Sequence, residues 1–385
     1  MNYQFPEIRH IDDVRPAITG RNEFIIAERE HYDVINYVVA MADTFDMTDP
    51  DDIMGAIRRE CRGLIFDKSG NLISRPFHKF FNVGERSETQ MANLDMSASH
   101  VIMEKMDGSM VRPLIINGEV FLGTKMGVTD IGLDATKLLN NVQKNWLRSM
   151  VEINKTPIME YISPANKIVI QYKEANLVIL GVRDNLTGQY ELPMYAPFDI
   201  VPTYGSLEGN IEEYISRARQ LQGREGDIIR FADGHMLKIK NDWYVRIHKT
   251  KDMIRTERHI LNIIINEEMD DLLPILDEDD TNTVKQYEKR FNAALGNVLG
   301  RLEGLVTIAK TLHGYDKKAI ALEFAPNLIF KQDARFIFSV IDGKELRPLV
   351  LDHVAKSVSK TANYEQLAEW MGLEYKNSES DIMEG

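Results

Sequence analysis

The segment Met103-Glu104-Lys105-Met106-Asp107-Gly108-Ser109 ends an apolar run on a lysine and follows it at once with an Asp-Gly turn signal. A lysine amine that has lost its proton is a nucleophile toward carbonyl or phosphoryl centres. Taken alone, the segment also fits a surface hairpin whose lysine is simply solvated. Its company changes the balance. Glu160 interrupts the apolar run Pro157-Ile158-Met159-Glu160-Tyr161-Ile162, and Glu225 opens Glu225-Gly226-Asp227-Ile228-Ile229-Arg230-Phe231. Across an Asp233-Gly234 turn comes Met236-Leu237-Lys238-Ile239-Lys240. In a strand of period two, Lys238 and Lys240 share one face while Leu237 and Ile239 share the other. Like charges side by side repel unless an anion lies between them, and a polyphosphate has the charge density to do so.

The elements that must position these residues change character near Thr250. Before it, short runs rich in Ile, Val, Leu and Phe alternate with turn signals such as Ser69-Gly70-Asn71, Asn117-Gly118 and Thr187-Gly188. Helical stretches are expected over 133–151 and 211–221. After Thr250 the apolar period is 3.6: Val284, Tyr287, Phe291, Leu295, Val298, Leu302, Leu305, Ile308 and Leu312 mark one face of a long helix ending at Gly314. Further helices are expected over 260–273 and 334–341. The pattern predicts an α+β chain: antiparallel sheets with flanking helices over 1–250, a small all-helical domain over 251–375, and a polar tail over 376–385 that is expected to be disordered.

The chain has 385 residues and a net charge of −13. Counted from the sequence, residues 1–250 carry −6 and 251–385 carry −7, so neither part is a basic domain and any nucleic-acid contact must come from locally gathered cations. No run of about 18 apolar residues is present, and Met1-Asn2-Tyr3-Gln4-Phe5-Pro6 lacks a signal-peptide pattern. A single cysteine, Cys61, excludes an internal disulfide and a cysteine-cluster zinc site. The expectation is a soluble protein of a reducing cytoplasm, with no membrane contact.

Lys105-x-Asp107-Gly108, Glu160, Glu225-Gly226 and Lys238-Ile239-Lys240 resemble, in order, the nucleotidyltransferase motifs of covalent ligases and RNA capping enzymes. Within that superfamily the chain is similar to the bacteriophage ATP-dependent RNA ligases that repair cleaved tRNA anticodon loops. The strings Glu60-Cys61-Arg62-Gly63, Ser74-Arg75-Pro76-Phe77-His78-Lys79-Phe80-Phe81-Asn82, Ser163-Pro164-x-Asn166 and Asn241-Asp242-Trp243-Tyr244-Val245 resemble that family's own segments. The resemblance implies a nucleotidyltransferase (adenylation) domain over 1–250 and an RNA-specificity role for the helical domain. It makes Lys105 the residue that takes AMP from ATP. Lys238 and Lys240 would hold phosphates, Glu160 would contact the ribose or a metal-bound water, and Glu225 would lie near the metal. Nucleotide-binding roles extend to Tyr37, Arg62, Lys79, Glu104, Asp107, Gly108 and Lys125. Phe81 and Tyr244 would contact RNA or support the lysine strand, and Asp270 would offer a magnesium site. Because a lysine attacks only when neutral, Lys238, Lys240, Lys125 and a magnesium ion are expected to crowd Lys105 with positive charge.

The resemblance further implies ATP and Mg²⁺ as cofactors, and as substrate single-stranded RNA ends, naturally a tRNA nicked in its anticodon loop in an infected bacterial host. It implies a polynucleotide kinase-phosphatase as functional partner and a monomeric protein. Rival readings are a DNA ligase or a GTP-dependent capping enzyme, which usually carry a small β-barrel where this chain turns helical, and a non-catalytic tRNA-binding relative.

Overall fold

Alternating apolar positions and tight turns before Thr250 produce fourteen strands in the computed structural model, which describes residues 4–47, 52–207, 209–358 and 361–373. The tail expected over 376–385 lies outside the described residues. In chain order the strands are β1 (Phe24–Glu28), β2 (Tyr32–Tyr37), β3 (Arg62–Asp67), β4 (Leu72–Ser74), β5 (Phe81–Asn82), β6 (His100–Lys105) and β7 (Ser109–Ile116). They continue as β8 (Glu119–Gly123), β9 (Lys155–Ile162), β10 (Asn176–Asp184), β11 (Tyr190–Glu191), β12 (Asp199–Ile200), β13 (Gly226–Phe231) and β14 (Met236–Lys240). The chain divides into two units, Met1–Arg246 and Ile247–Gly385.

The first unit holds three mainly antiparallel sheets, of order β1-β2-β3-β4, β11-β10-β9-β7-β8 with β12 added to β10, and β5-β14-β13-β6. The second and third meet through a shared core: Met103, Ile228 and Met236 of the third pack with Ile158, Ile162 and Val178 of the second. The opposite face of the third sheet (Ile102, Ile229, Leu237, Ile239) is closed by Ile215 and Ala218 of helix Ile211–Gln220. Helices Asp130–Lys137 and Asn141–Glu152 cover the outer face of the second through Ala135 and Leu147. The pleat thus sends Leu237 and Ile239 outward to the helix while Met236, Lys238 and Lys240 face the other sheet.

The single helix expected over 133–151 is two helices. Asn140 stops the first by capping the second: its side chain accepts from the Gln143 N–H at 3.0 Å, and Gln143 Oε1 accepts in return from the Asn140 N–H at 3.0 Å. That reciprocal pair favours a new helix start over continuation.

The second unit is all helical among the described residues and is organised on helix Glu278–His313. Val284, Tyr287, Phe291, Leu295, Val298 and Leu302 of its buried face pack with Ile260, Leu261, Val350, Val354, Tyr364 and Trp370. The buried stripe departs from the expected one at its end, where Ile308 and Leu312 are exposed and Val306 and Ala309 are buried instead. The expected helix 260–273 breaks into Glu257–Ile265 and Met269–Leu272 at Glu267, which takes a positive φ of 61°. No helix among the described residues is long and apolar enough to cross a membrane.

Candidate active site

The third sheet puts the two lysine-bearing segments in one row. Lys105 ends β6 and faces Gly226 of β13, and Gly226 faces Lys240 of β14 on its other side. A Cβ on Gly226 would lie 2.0 Å from the Ile239 carbonyl oxygen, so no larger residue fits there without moving β14. Glu225, 4% exposed, reaches both neighbours: its Oε1 lies 2.7 Å from Lys105 Nζ and 3.2 Å from Lys240 Nζ. The expectation that Lys105 is crowded by cations is therefore corrected in one respect. A carboxylate sits directly on its amine, and a shared buried anion is how the sheet tolerates two lysines in register.

The Asp-Gly turn after Lys105 is not a solvated surface turn. Asp107 is 1% exposed and accepts from the backbone N–H groups of Val169 (2.8 Å) and Ile170 (2.6 Å) and from the Tyr244 hydroxyl (2.6 Å). Tyr244 sits in the first turn of helix Asp242–Ile254, immediately after β14. Burial, the Glu225 charge and the bond to Asp107 push its phenol far above the ordinary range, which keeps it a hydrogen-bond donor. A Cβ on Gly108 would stand 2.4 Å from the Tyr161 carbonyl oxygen, so glycine lets the turn press against β9. There β9 presents Glu160, whose carboxyl is pushed up to about 8, chiefly by burial, with Lys105 opposing and Glu225 and Asp107 adding to the rise.

A cationic wall completes the site. Arg62 begins β3, and Gly63 behind it has a φ of +98° with the Lys125 backbone oxygen 2.7 Å from where its Cβ would be. Glycine therefore lets the turn carrying Lys125 close on the strand carrying Arg62. Lys79 Nζ stands 5.3, 5.4 and 5.6 Å from the ring centres of Tyr37, Phe45 and Phe81, a cation–π seat. Phe81 also lies beneath Arg59 and Arg86, so its place is under the cations, in the core. Burial would raise the Tyr37 phenol, yet the charges of Lys79, Arg62 and Lys125 outweigh it and bring it down. Lys125 is itself lowered by burial and by Arg62 and Lys79. Lys238 is pushed down to about 7, first by burial and then by Arg62, Lys79, Lys105 and Lys240. One positive field therefore reaches from β3 to β14.

Between these walls lies a cavity of about 210 Å³, with Arg62, Glu104, Lys105, Gly108, Glu160 and Lys238 on its polar side. Glu104 is held by the Tyr204 hydroxyl at 2.7 Å. The other side is apolar, built from Phe77, Phe80, Met106, Met110, Leu180 and Met236, with the Phe80 ring centre 4.9 Å from Lys238 Nζ. Pattern reading missed this apolar half, because its residues look like ordinary core; the one usable signal was the aromatic run Phe77–Phe81. A cavity lined by apolar rings and chains together with Arg62, Lys105 and Lys238 suits a heteroaromatic ring carrying phosphates.

For a divalent metal, Glu160 and Glu225 fit: the Glu225 charge raises the cost of ionising Glu160, and a cation between them would relieve it. Mg²⁺ takes one or two carboxylates and completes its shell with water and phosphate oxygens. Asp270 lies in the second unit, in helix Met269–Leu272, and among the described residues no group of three or more His, Cys, Asp or Glu could hold a metal.

Behind the site is a cluster of another kind. Glu60 is buried between Arg75 and Arg183: Arg183 Nη1 and Nη2 donate to its two oxygens at 2.8 and 2.7 Å, and Arg75 Nε donates at 3.2 Å. Burial alone would raise this carboxyl, but the two guanidinium charges bring it down to about 2. The remaining arginine N–H groups donate to backbone carbonyls of Pro6, Pro76, Asn185, Leu186 and Gly188. Cys61, between Glu60 and Arg62, is buried, and its thiol is pushed far up by burial and by the Glu60 charge.

The RNA ligase family model matches residues 60–244, the stretch that supplies every residue lining the cavity. Among curated proteins the chain is 30% identical over 270 residues to one from Thermovibrio ammonificans named "Putative RNA ligase", covering 66% of this chain and 68% of that one. It is 25% identical over 281 residues to "RNA ligase 1" of Bacteriophage TS2126, covering 69% and 68%. Among solved structures it is similar to an archaeal ATP-dependent RNA ligase, with a TM-score of 0.41, 16% identity and coverage of 77% of this chain and 79% of that one. On the identity and coverage of its match to the Thermovibrio ammonificans protein, the chain belongs to the RNA ligase family of enzymes.

Proposed function

We propose that this ligase is ATP-dependent and joins the 3′-hydroxyl and 5′-phosphate ends of single-stranded RNA, with Lys105 as the residue that carries AMP. The observation that supports this most is the meeting of Lys105 with Arg62 and Lys238 at a cavity that is also lined by apolar rings, with the charges of Lys79 and Lys240 reaching Lys238. The apolar wall would take the base, and the cations would take the phosphates. The neutral amine of Lys105 would attack the α-phosphorus, forming an N–P bond as pyrophosphate leaves. AMP would then pass to the RNA 5′-phosphate, and the 3′-hydroxyl would displace AMP as the phosphodiester forms. For the first step Lys105 must leave its pair with Glu225 and give up its proton, and the positive charges of Lys238 and Lys240 would favour the neutral amine once Glu225 is engaged elsewhere. Glu160 and Glu225 would hold Mg²⁺, which when bound supplies charge neutralisation at the phosphates.

The substrate within this reading is a tRNA nicked in its anticodon loop in the cytoplasm of a phage-infected host, with a kinase-phosphatase supplying the correct ends. The first unit would act as the adenylation domain and the helical unit as the RNA-specificity domain. DNA ligases and capping enzymes remain the alternative, disfavoured by the helical rather than β-barrel second unit.

Incubation with ATP and Mg²⁺ without RNA, read by intact mass and peptide mapping, should add one AMP to Lys105. Lys105→Ala should abolish the adduct completely and still seal RNA supplied already adenylated. AMP on another residue, or none, would overturn the reading. For the division of roles, a chain ending at residue 254 should keep self-adenylation and lose the preference of the full chain for a nicked stem-loop over an unstructured strand. An unchanged preference would refute that division.

A further inference from the structure

Arg112 is fully buried in β7, and no carboxylate is among the charges that bear on it. Burial presses its guanidinium toward the neutral form, Arg62 presses the same way, and only the Tyr32 phenol opposes them. Its Nη2 donates to the Gly63 backbone oxygen, whereas Nε and Nη1 meet no hydrogen-bond partner among the described protein groups. A buried cation in this condition lowers stability, so its presence calls for a reason outside the fold's own needs.

Its place in β7 supplies one. With period two, Met110, Arg112 and Leu114 share a face. Met110 lines the cavity, and Leu114 packs into the apolar cluster with Tyr32, Val34 and Ile65. Arg112 therefore stands one step behind the cavity wall. The carbonyl it grips belongs to the residue after Arg62, at the glycine against which the Lys125 backbone closes. Its partner across the ladder is Gly123, two residues before Lys125. The one hydrogen bond that Arg112 makes thus sits at the joint between two cations of the wall.

We propose that Arg112 is a positioning residue for the anion site: it fixes Gly63 so that Arg62 and Lys125 converge, and its uncompensated charge is balanced by the bound polyphosphate. The inference rests on the nucleotide-binding reading above, and it assigns the cost of burying Arg112 to ligand binding. Because its charge sits in a medium of low dielectric constant, it reaches the phosphates with little screening.

The test compares wild type with Arg112→Met, which keeps an unbranched chain without charge, and Arg112→Lys, which keeps the charge. Each full-length protein is examined by thermal unfolding and by calorimetric binding of inorganic tripolyphosphate without metal. The Met variant should melt at or above the wild-type temperature yet bind tripolyphosphate about tenfold more weakly or worse, the scale of one charged interaction. The Lys variant should bind within about threefold of wild type. A Met variant that unfolds or melts lower shows Arg112 to be an ordinary stabilising residue and overturns the proposal. So does a Met variant that binds as wild type does, or a Lys variant as weak as Met. Absence of tripolyphosphate binding by wild type would instead refute the nucleotide-site reading itself.

Discussion

The first unit buries charge in two ways. Around Glu60, two guanidinium groups share one carboxylate and the surplus donors of Arg75 and Arg183 end on backbone carbonyls. Around the cavity, Arg62, Lys79, Lys125 and Lys238 crowd one another, and their neighbours' charges depress Lys125 and Lys238 rather than support them. The first arrangement is complete within the chain and ties helix Ile53–Glu60, β10 and the segment after β4 together. The second is strained by its own charge and becomes reasonable only with an anion present. Burial against an opposite charge therefore marks structure here, and burial among like charges marks a binding site.

The contrast breaks most sharply at Glu60. Glu60→Ala should lower the unfolding free energy of the first unit by about 3–5 kcal/mol by leaving two buried guanidinium groups uncompensated, as read by urea denaturation. Acid should act in the same direction. Because folding lowers the Glu60 carboxyl from 4.5 to about 2, its contribution is present above about pH 4.5 and is lost as the pH falls toward 2. At about 1.4 kcal/mol per unit that contribution is on the order of 3 kcal/mol. A Glu60→Ala protein as stable as wild type at pH 7 would remove the distinction.

Lys240→Ala should do the opposite, slowing self-adenylation roughly ten- to hundredfold through the loss of one charged contact worth about 1.5–3 kcal/mol, while the denaturation midpoint stays close to wild type. Lys240→Arg should restore only part of the rate, since a planar guanidinium does not replace a compact ammonium. A rate within about twofold of wild type for the alanine variant would show that Lys240 holds no phosphate.

The gentlest probe is Glu160→Gln. Folding raises this carboxyl from 4.5 to about 8, so the folded state is favoured below pH 4.5 and progressively loses that advantage as the pH rises through 8. The variant should match wild type at pH 4 and exceed it at pH 8. The two clusters thus answer pH in opposite directions, and equal stability of wild type and Glu160→Gln at both pH values would contradict the strain assigned to the cavity.

What the sequence made legible were the residues that break a pattern: a lysine closing an apolar run, a glutamate inside one, two lysines on one face of a short strand. Turn signals before Thr250 and helical period after it were enough for the α+β class. Two kinds of feature stayed hidden. Phe77, Phe80, Met110 and Leu180 line the cavity with the same residue types that fill cores, so nothing in composition separates them. The Glu60–Arg183 contact spans 123 positions, and the Lys105–Glu225 pair joins neighbouring strands that are far apart in the chain, separations that no local period reports. The break at Asn140 was readable, since a capping residue three positions before a glutamine is a start signal inside the expected helix.

Cys61 gives the first unit a built-in clock. It is the chain's single thiol, fully buried, pushed away from the reactive thiolate, and set between the residue that completes the arginine pair and the residue that faces the cavity. An alkylating reagent can reach it only when the strand that begins at Arg62 opens. The rate at which this native side chain is modified therefore times the opening of that region, with no label to introduce and no second cysteine to confuse the signal.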